Sequence, residues 1–211
     1  MGLPIYSRRV RFIDYTGKND FMVSYIFEFF RIILVAVPVY MLYLLKRRPW
    51  RPVEGRRFSV AREAALGLFV VFMATLLVLT FQGAYWDPQR MLQMAVRRLQ
   101  TGEGINLVPF RTIRRYFGRN LDMFMVNIVG NIVMFVPWGF GLALLWKKNQ
   151  NVWRIALFSA LLPLFIESVQ LFILRSVDVD DLILNFLGGC LGGVLYVVIR
   201  KLWPKVGKLA E

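Results

Sequence analysis

Long apolar runs constrain this chain more than anything else in it. Residues 64–86 and 123–146 carry no charge; residues 155–174 are interrupted only by Glu167; residues 182–199 are again uncharged. A helix needs ~20 apolar residues to cross a ~30 Å hydrocarbon core, so each run is long enough, or nearly so, to be a membrane span. Residues 21–45 form a further run, with Glu28 and Arg31 near its start. Lipid offers no hydrogen bonds to the backbone, which makes the runs helices. The expected fold class is therefore all-α, a multi-pass transmembrane helical bundle of about five spans. Residues 1–63 read as an N-terminal tail, the first span and a basic linker. Residues 64–203 read as the main membrane domain and 204–211 as a tail. The first twenty residues hold Arg8, Arg9, Arg11 and Lys18 without an apolar core, so no cleavable leader is expected.

Composition narrows the chemistry. There is no histidine, which removes the usual general base and the commonest metal ligand. The single cysteine, Cys190, lies in a glycine-rich span, where a packing role is expected. The net charge of +14 fits anionic lipid headgroups and membrane topology. The basic residues do not make a nucleic-acid-binding module, and no nucleic-acid partner, metal or cofactor is expected.

Basic residues mark cytoplasmic loops. They cluster in the linker 46–63, including Arg56, Arg57 and Arg62, in the turn with Lys147, Lys148 and Arg154, and in the tail with Arg200, Lys201, Lys205 and Lys208. Five spans then put the N-terminus outside and the C-terminus in the cytoplasm. Trp50, Trp146, Trp153 and Trp203 would anchor the cytoplasmic ends, and Trp86 the outer one.

Charged groups inside a membrane are costly and mark functional positions. Here they fall at one level. Asn127 and Asn131 stand one helical turn apart; Glu167 and Gln170 are three apart, with Arg175 just beyond; Asp178, Asp180, Asp181 and Asn185 open the last span. Each group lies at the end assigned to the outside, as a polar pocket near the outer surface requires. The competing reading is helix packing, to which an interhelical amide contributes about 0.6 kcal/mol. Glu167 needs a partner or a proton, and Arg175, Arg31 or Arg111 is its candidate ion pair. Glu28 and Arg31 are spaced to pair with each other. Gly188, Gly189, Gly192 and Gly193 let a neighbouring helix approach closely, while Pro137 and Pro163 interrupt their helices.

Between the second and third spans, residues 89–100 read as an amphipathic helix in the membrane interface or a re-entrant element, with Arg90, Arg97 and Arg98 on its polar surface. Gly102 and Gly104 end it. The turn Asn106-Leu107-Val108-Pro109-Phe110-Arg111 would enter the bilayer edge and bring Arg111 beside the pocket. Guanidinium groups there suit phosphate or carboxylate, or simply phospholipid headgroups.

Four segments carry a resemblance: NLVPFRTI at 106–113, NIVGNIVMFVPWGF at 127–140, ESVQLF at 167–172 and RSVDVDDLILNFLGGCLGG at 175–193. In order and spacing they resemble the VanZ-like family of multi-pass bacterial membrane proteins, over roughly residues 65–200. The resemblance implies a bacterial cell-membrane location and an envelope role. It makes Asn106, Pro109, Phe110, Phe135 and Gly139, as well as the polar residues above, characteristic positions. The family is named for a protein associated with low-level resistance to the glycopeptide teicoplanin, and no reaction comes with it.

The expected catalytic residues are Glu167 and Asp181, either of which could act as acid or base. Asn106, Arg111, Asn127, Asn131, Gln170, Arg175, Asp178 and Asn185 would bind the ligand. The expected partners are membrane lipids, among them an anionic lipid or a lipid-linked cell-wall precursor. A modifying enzyme, a non-catalytic transporter of lipid or solute, and a structural or regulatory envelope protein stay open at this stage, as does the oligomeric state.

Overall fold

The structure, a computed structural model, describes residues 30, 34, 36–38, 40–46, 59–81, 90–117, 121–173 and 175–209. The N-terminal tail, Glu28, Arg31, Trp50 and Trp86 lie outside the described residues. So does most of the first expected span, of which the described part contributes a shorter apolar helix, α1 (Ala36–Lys46).

Four helices among the described residues are long and apolar enough to cross a membrane. The first is α2 (Val60–Phe81). After it come the interfacial helix α3 (Met91–Thr101), a two-residue strand β1 (Ile105–Asn106), and short helices α4 (Arg111–Tyr116) and α5 (Leu121–Phe124). The second span, Met125–Leu145, starts as one π-helical turn, Met125–Val129, and continues as α6 (Gly130–Leu145). The third and fourth are α7 (Val152–Phe172) and α8 (Val179–Leu202), joined through strand β2 (Val177–Asp178). β1 and β2 pair in parallel, Ile105 with Val177 and Asn106 with Asp178.

α8 is the centre of the bundle, and its glycines are the reason. A Cβ at Gly188 or Gly192 would run into the α6 carbonyls of Ile132 or Val136. One at Gly189 or Gly193 would meet Ser159 or Ile155 of α7. Two glycine stripes thus seat two neighbours closely, α6 at backbone contact and α7 through its Ser159 and Ile155 side chains, in a medium where helices associate chiefly by close packing. Pro137 and Pro163 sit inside α6 and α7, which stay helical through them. α2 packs on the outside of this trio, through Leu76 against Phe135 and Ile166.

Arg62 departs from the expectation of a solvated linker residue. It lies in the first turn of α2, is 4% exposed, and points Nη2 at the Leu145 carbonyl. Its stem covers apolar surface while the head finds polar groups at the helix ends.

Candidate functional site

One end of the bundle gathers the polar residues: the end of α2, the start of α6, the end of α7 and the start of α8. Two aspartates build it. Asp178 is the N-cap of α8, its Oδ1 accepting from the Asp180 amide at 2.9 Å. The same carboxylate accepts from Asn106 Nδ2 at 2.8 Å and from Thr112 Oγ1 at 2.5 Å. Asp180 is fully buried and reaches away from its own helix. It accepts from the backbone N–H groups of Phe110 (2.5 Å), Thr112 (2.6 Å) and Ile113 (3.1 Å). An acidic side chain from α8 therefore satisfies the otherwise orphaned amides at the start of α4. It also holds Phe110 at φ 65°, an uncommon conformation for a bulky residue.

Arg98 does the reverse, with carbonyls. Its Nε and both Nη atoms donate to the carbonyl oxygens of Glu103, Gly104, Gln170, Leu171 and Arg175, at 2.6–3.1 Å. The planar fork of five donors ties α3, the β1 strap and the end of α7 together. Burial lowers its pKa from the ordinary value and Glu103 opposes the shift, but a guanidinium stays charged in any case. The expectation that Arg98 lines the polar surface of α3 is corrected: it is 6% exposed. Leu92, Val96 and Leu99 are exposed, as are Gln93 and Arg97, and α3 turns Ala95 and Arg98 inward.

Below this frame, between the spans, lies a cavity of about 150 Å³. Its wall includes Glu167 and Gln170 of α7, Asp181 and Asn185 of α8, Asn131 of α6, Thr80 of α2, and Arg175. Asn131 Nδ2 donates to Asp181 Oδ1 at 2.9 Å. Glu167 Oε2 accepts from the Asp178 amide at 2.9 Å. Arg175 lies within electrostatic range of Asp181. Asn185 is 5% exposed, and its Oδ1 has no hydrogen-bond partner among the described residues. Buried polar atoms are nearly always paired, so this one marks a position for a donor.

Beside the strap lies a second, more open cleft of about 410 Å³, lined by Asn106, Arg111, Thr112, Arg115, Ser176 and Asp178, among others. Arg111 and Arg115 are exposed here.

The structure thus divides the expected site. Glu167, Asp181, Asn131, Gln170, Arg175 and Asn185 come together in the inner cavity. Asn106, Arg111 and Asp178 line the outer cleft instead, and the side chains of Asn106 and Asp178 are engaged with each other. Arg111 is not among the residues around the carboxylates, because Asp180 pins the Phe110 turn above the helix ends. Asn127 does not line the cavity either. The π turn at Met125–Val129 is wider than an α turn, so the one-face spacing with Asn131 does not hold; Asn131 instead bonds the Asn127 carbonyl at 2.9 Å. Thr80, Arg115, Asp180 and Arg98 are not among the site residues the sequence points to. For Asp180 the available signal was its place in the first turn of α8. For Arg98 it was an arginine on the same face as Ala95, opposite the apolar stripe.

Among the described residues no cluster of three or more acidic or thiol ligands is placed to hold a metal.

The VanZ/LLP1 family model matches residues 68–200, which includes all four apolar spans in whole or large part. The chain belongs to the VanZ/LLP1 family. It is a membrane protein of that family, and both clefts fall within the matched region. No curated protein and no solved structure matches it significantly.

Proposed function

We propose that this VanZ-family protein binds a phosphate-bearing membrane lipid or lipid-linked envelope precursor at the outer leaflet of the bacterial cell membrane. The observation that carries this reading is the convergence of Glu167, Asp181 and Asn185 in one intramembrane cavity, next to a cleft with two exposed arginines. Arg111 and Arg115 serve the phosphate, for which forked guanidinium donors are suited. The inner cavity serves the rest of the headgroup. Asn131, Gln170 and Asn185 orient it. Glu167 and Asp181 accept its hydrogen bonds and are the groups available to move a proton to or from it. Asn106 and Asp178 act as frame, keeping the cleft in place.

The test is native mass spectrometry of gently purified protein, read for co-purifying lipids, with Glu167→Gln and an Arg111→Gln/Arg115→Gln double variant alongside. Wild type is expected to retain one phosphate-bearing lipid class selectively. A lost charge-assisted hydrogen bond is worth about 1.5–3 kcal/mol, so each variant should weaken retention by roughly tenfold or more. Retention of bulk phospholipid alone, indifferent to every substitution, would leave the polar groups as helix-packing devices and end the proposal.

A further inference from the structure

The seam between α2 and α6 holds a third cavity, of about 400 Å³, toward the other end of the bundle. Its lining is almost wholly apolar. Phe72, Phe69 and Leu68 come from α2, and Pro137, Gly141 and Leu144 from α6. The Phe69 ring packs directly on Gly141, where a Cβ would collide with it. Phe69 stacks on Trp138 at 5.7 Å and closes one wall. Leu68 is 72% exposed, so the groove opens sideways toward lipid.

The groove and the polar cavity share this seam. Leu79 and Thr80 of α2 and Met134 of α6 border the cavity. Leu79 lies two turns from Phe72 on one face of α2, and Met134, Pro137 and Gly141 follow at helical spacing on one face of α6. At 1.5 Å per residue, Phe72 stands about 12 Å from Thr80 along the helix, and Ala65 about 22 Å. One leaflet is about 15 Å of hydrocarbon. The groove therefore begins where the tail of a lipid would run if its headgroup sat at the cavity.

The cavity also states what that headgroup must offer. The charged side chains of the lining are two carboxylates and one guanidinium, beside the amides of Asn131, Gln170 and Asn185, and Asn185 Oδ1 is an acceptor without a partner among the described residues. A cationic headgroup that donates hydrogen bonds complements this lining.

Resting on the headgroup reading above, we infer that the α2–α6 seam is a lateral binding slot for one lipid. An ammonium-bearing headgroup donates into the Glu167–Asp181–Asn185 cavity, and one acyl tail lies in the groove along Leu68, Phe72 and Leu144.

The experiment uses the full chain in nanodiscs of plain phosphatidylcholine. The probe is phosphatidylethanolamine with a photoreactive diazirine near the end of one tail. Its twin carries the same tail on phosphatidylcholine, whose headgroup has no N–H to donate. The ethanolamine probe should label Leu68, Phe72 and Leu144. The choline probe should spread over lipid-facing residues such as Val194 and Val198 of α8. Leu68→Trp, at a position 72% exposed, should remove the groove label. Selective retention of the ethanolamine probe with its label scattered outside the groove would overturn the slot and leave the cavity reading standing. Equal retention and even labelling by both probes, together with no lipid selectivity in native mass spectra, would remove the cavity reading and the slot with it.

Discussion

Two residues decide whether the site end exists, and neither needs to touch a ligand. Asp180 is completely buried, and its two oxygens serve three backbone amides of a segment about seventy positions earlier. Asp180→Asn keeps the shape but turns an amide group toward N–H donors. An unsatisfied buried group costs about 1–3 kcal/mol, and thermal melting in detergent should fall accordingly. Arg98→Lys tests the complementary clamp. An ammonium has three donors where the guanidinium uses five hydrogen bonds, so about 2 kcal/mol or more should be lost. Hydrogen exchange should then rise in residues 103–106 and 175–178, while the centre of α8 stays protected. Unchanged exchange in both strands would show that the clamp is redundant. The sequence discloses these roles poorly, for a physical reason. Side-chain spacing reveals partners on the same helix, whereas Asp180 and Arg98 bond distant backbone groups that carry no residue signature. The carboxylates and amides of the inner cavity are more legible, since polar groups in apolar runs advertise their own depth.

At the scale of elements, the apolar run lengths translate almost directly into α2, α6, α7 and α8, because a membrane leaves a chain little choice but helix. The glycine pattern of α8 likewise predicts a closely packed neighbour, and the structure supplies two. The failure is local. Helical spacing put Asn127 and Asn131 on one face, but a π turn intervenes and only Asn131 reaches the cavity. No simple propensity distinguishes Met125–Val129 from a regular turn. Close packing makes a sharp prediction about glycines. Gly192→Ala drives a methyl into the Val136 carbonyl, a backbone group that cannot swing aside. Overpacking of that kind costs about 1–3 kcal/mol, so the melting temperature should drop clearly. Gly130→Ala is the control: its nearest neighbour would stand at 3.5 Å. There the helix-propensity gain of up to about 1 kcal/mol has nothing to offset it, and the melting temperature should hold or rise. Equal effects at both positions would mean that α6 and α8 are not in backbone contact.

For the molecule as a whole, the open matter is which face of the membrane the arginine cleft meets. Both ends of the bundle are basic. Lys147, Lys148, Arg154, Arg200 and Lys201 gather at one end; Arg90, Arg97, Arg111, Arg114 and Arg115 lie toward the other. The positive-inside rule cannot separate them by count alone. The proposed phosphate site would supply the asymmetry: if Arg111 and Arg115 serve a ligand, they fall outside the topological reading, and the lysine-rich turn and tail become the expected cytoplasmic markers. This orientation is testable in intact cells with a membrane-impermeant maleimide, in a Cys190→Ser background. Ser176→Cys at the cleft should label directly, because Ser176 is exposed at its rim. Lys205→Cys, exposed at the opposite end, should label only after permeabilisation. The reverse pattern would turn the cleft toward the cytoplasm. An outer-leaflet ligand would then be ruled out, yet the seam between α2 and α6 would still open sideways into lipid, and its tail groove would belong to a cytoplasmic-leaflet lipid instead.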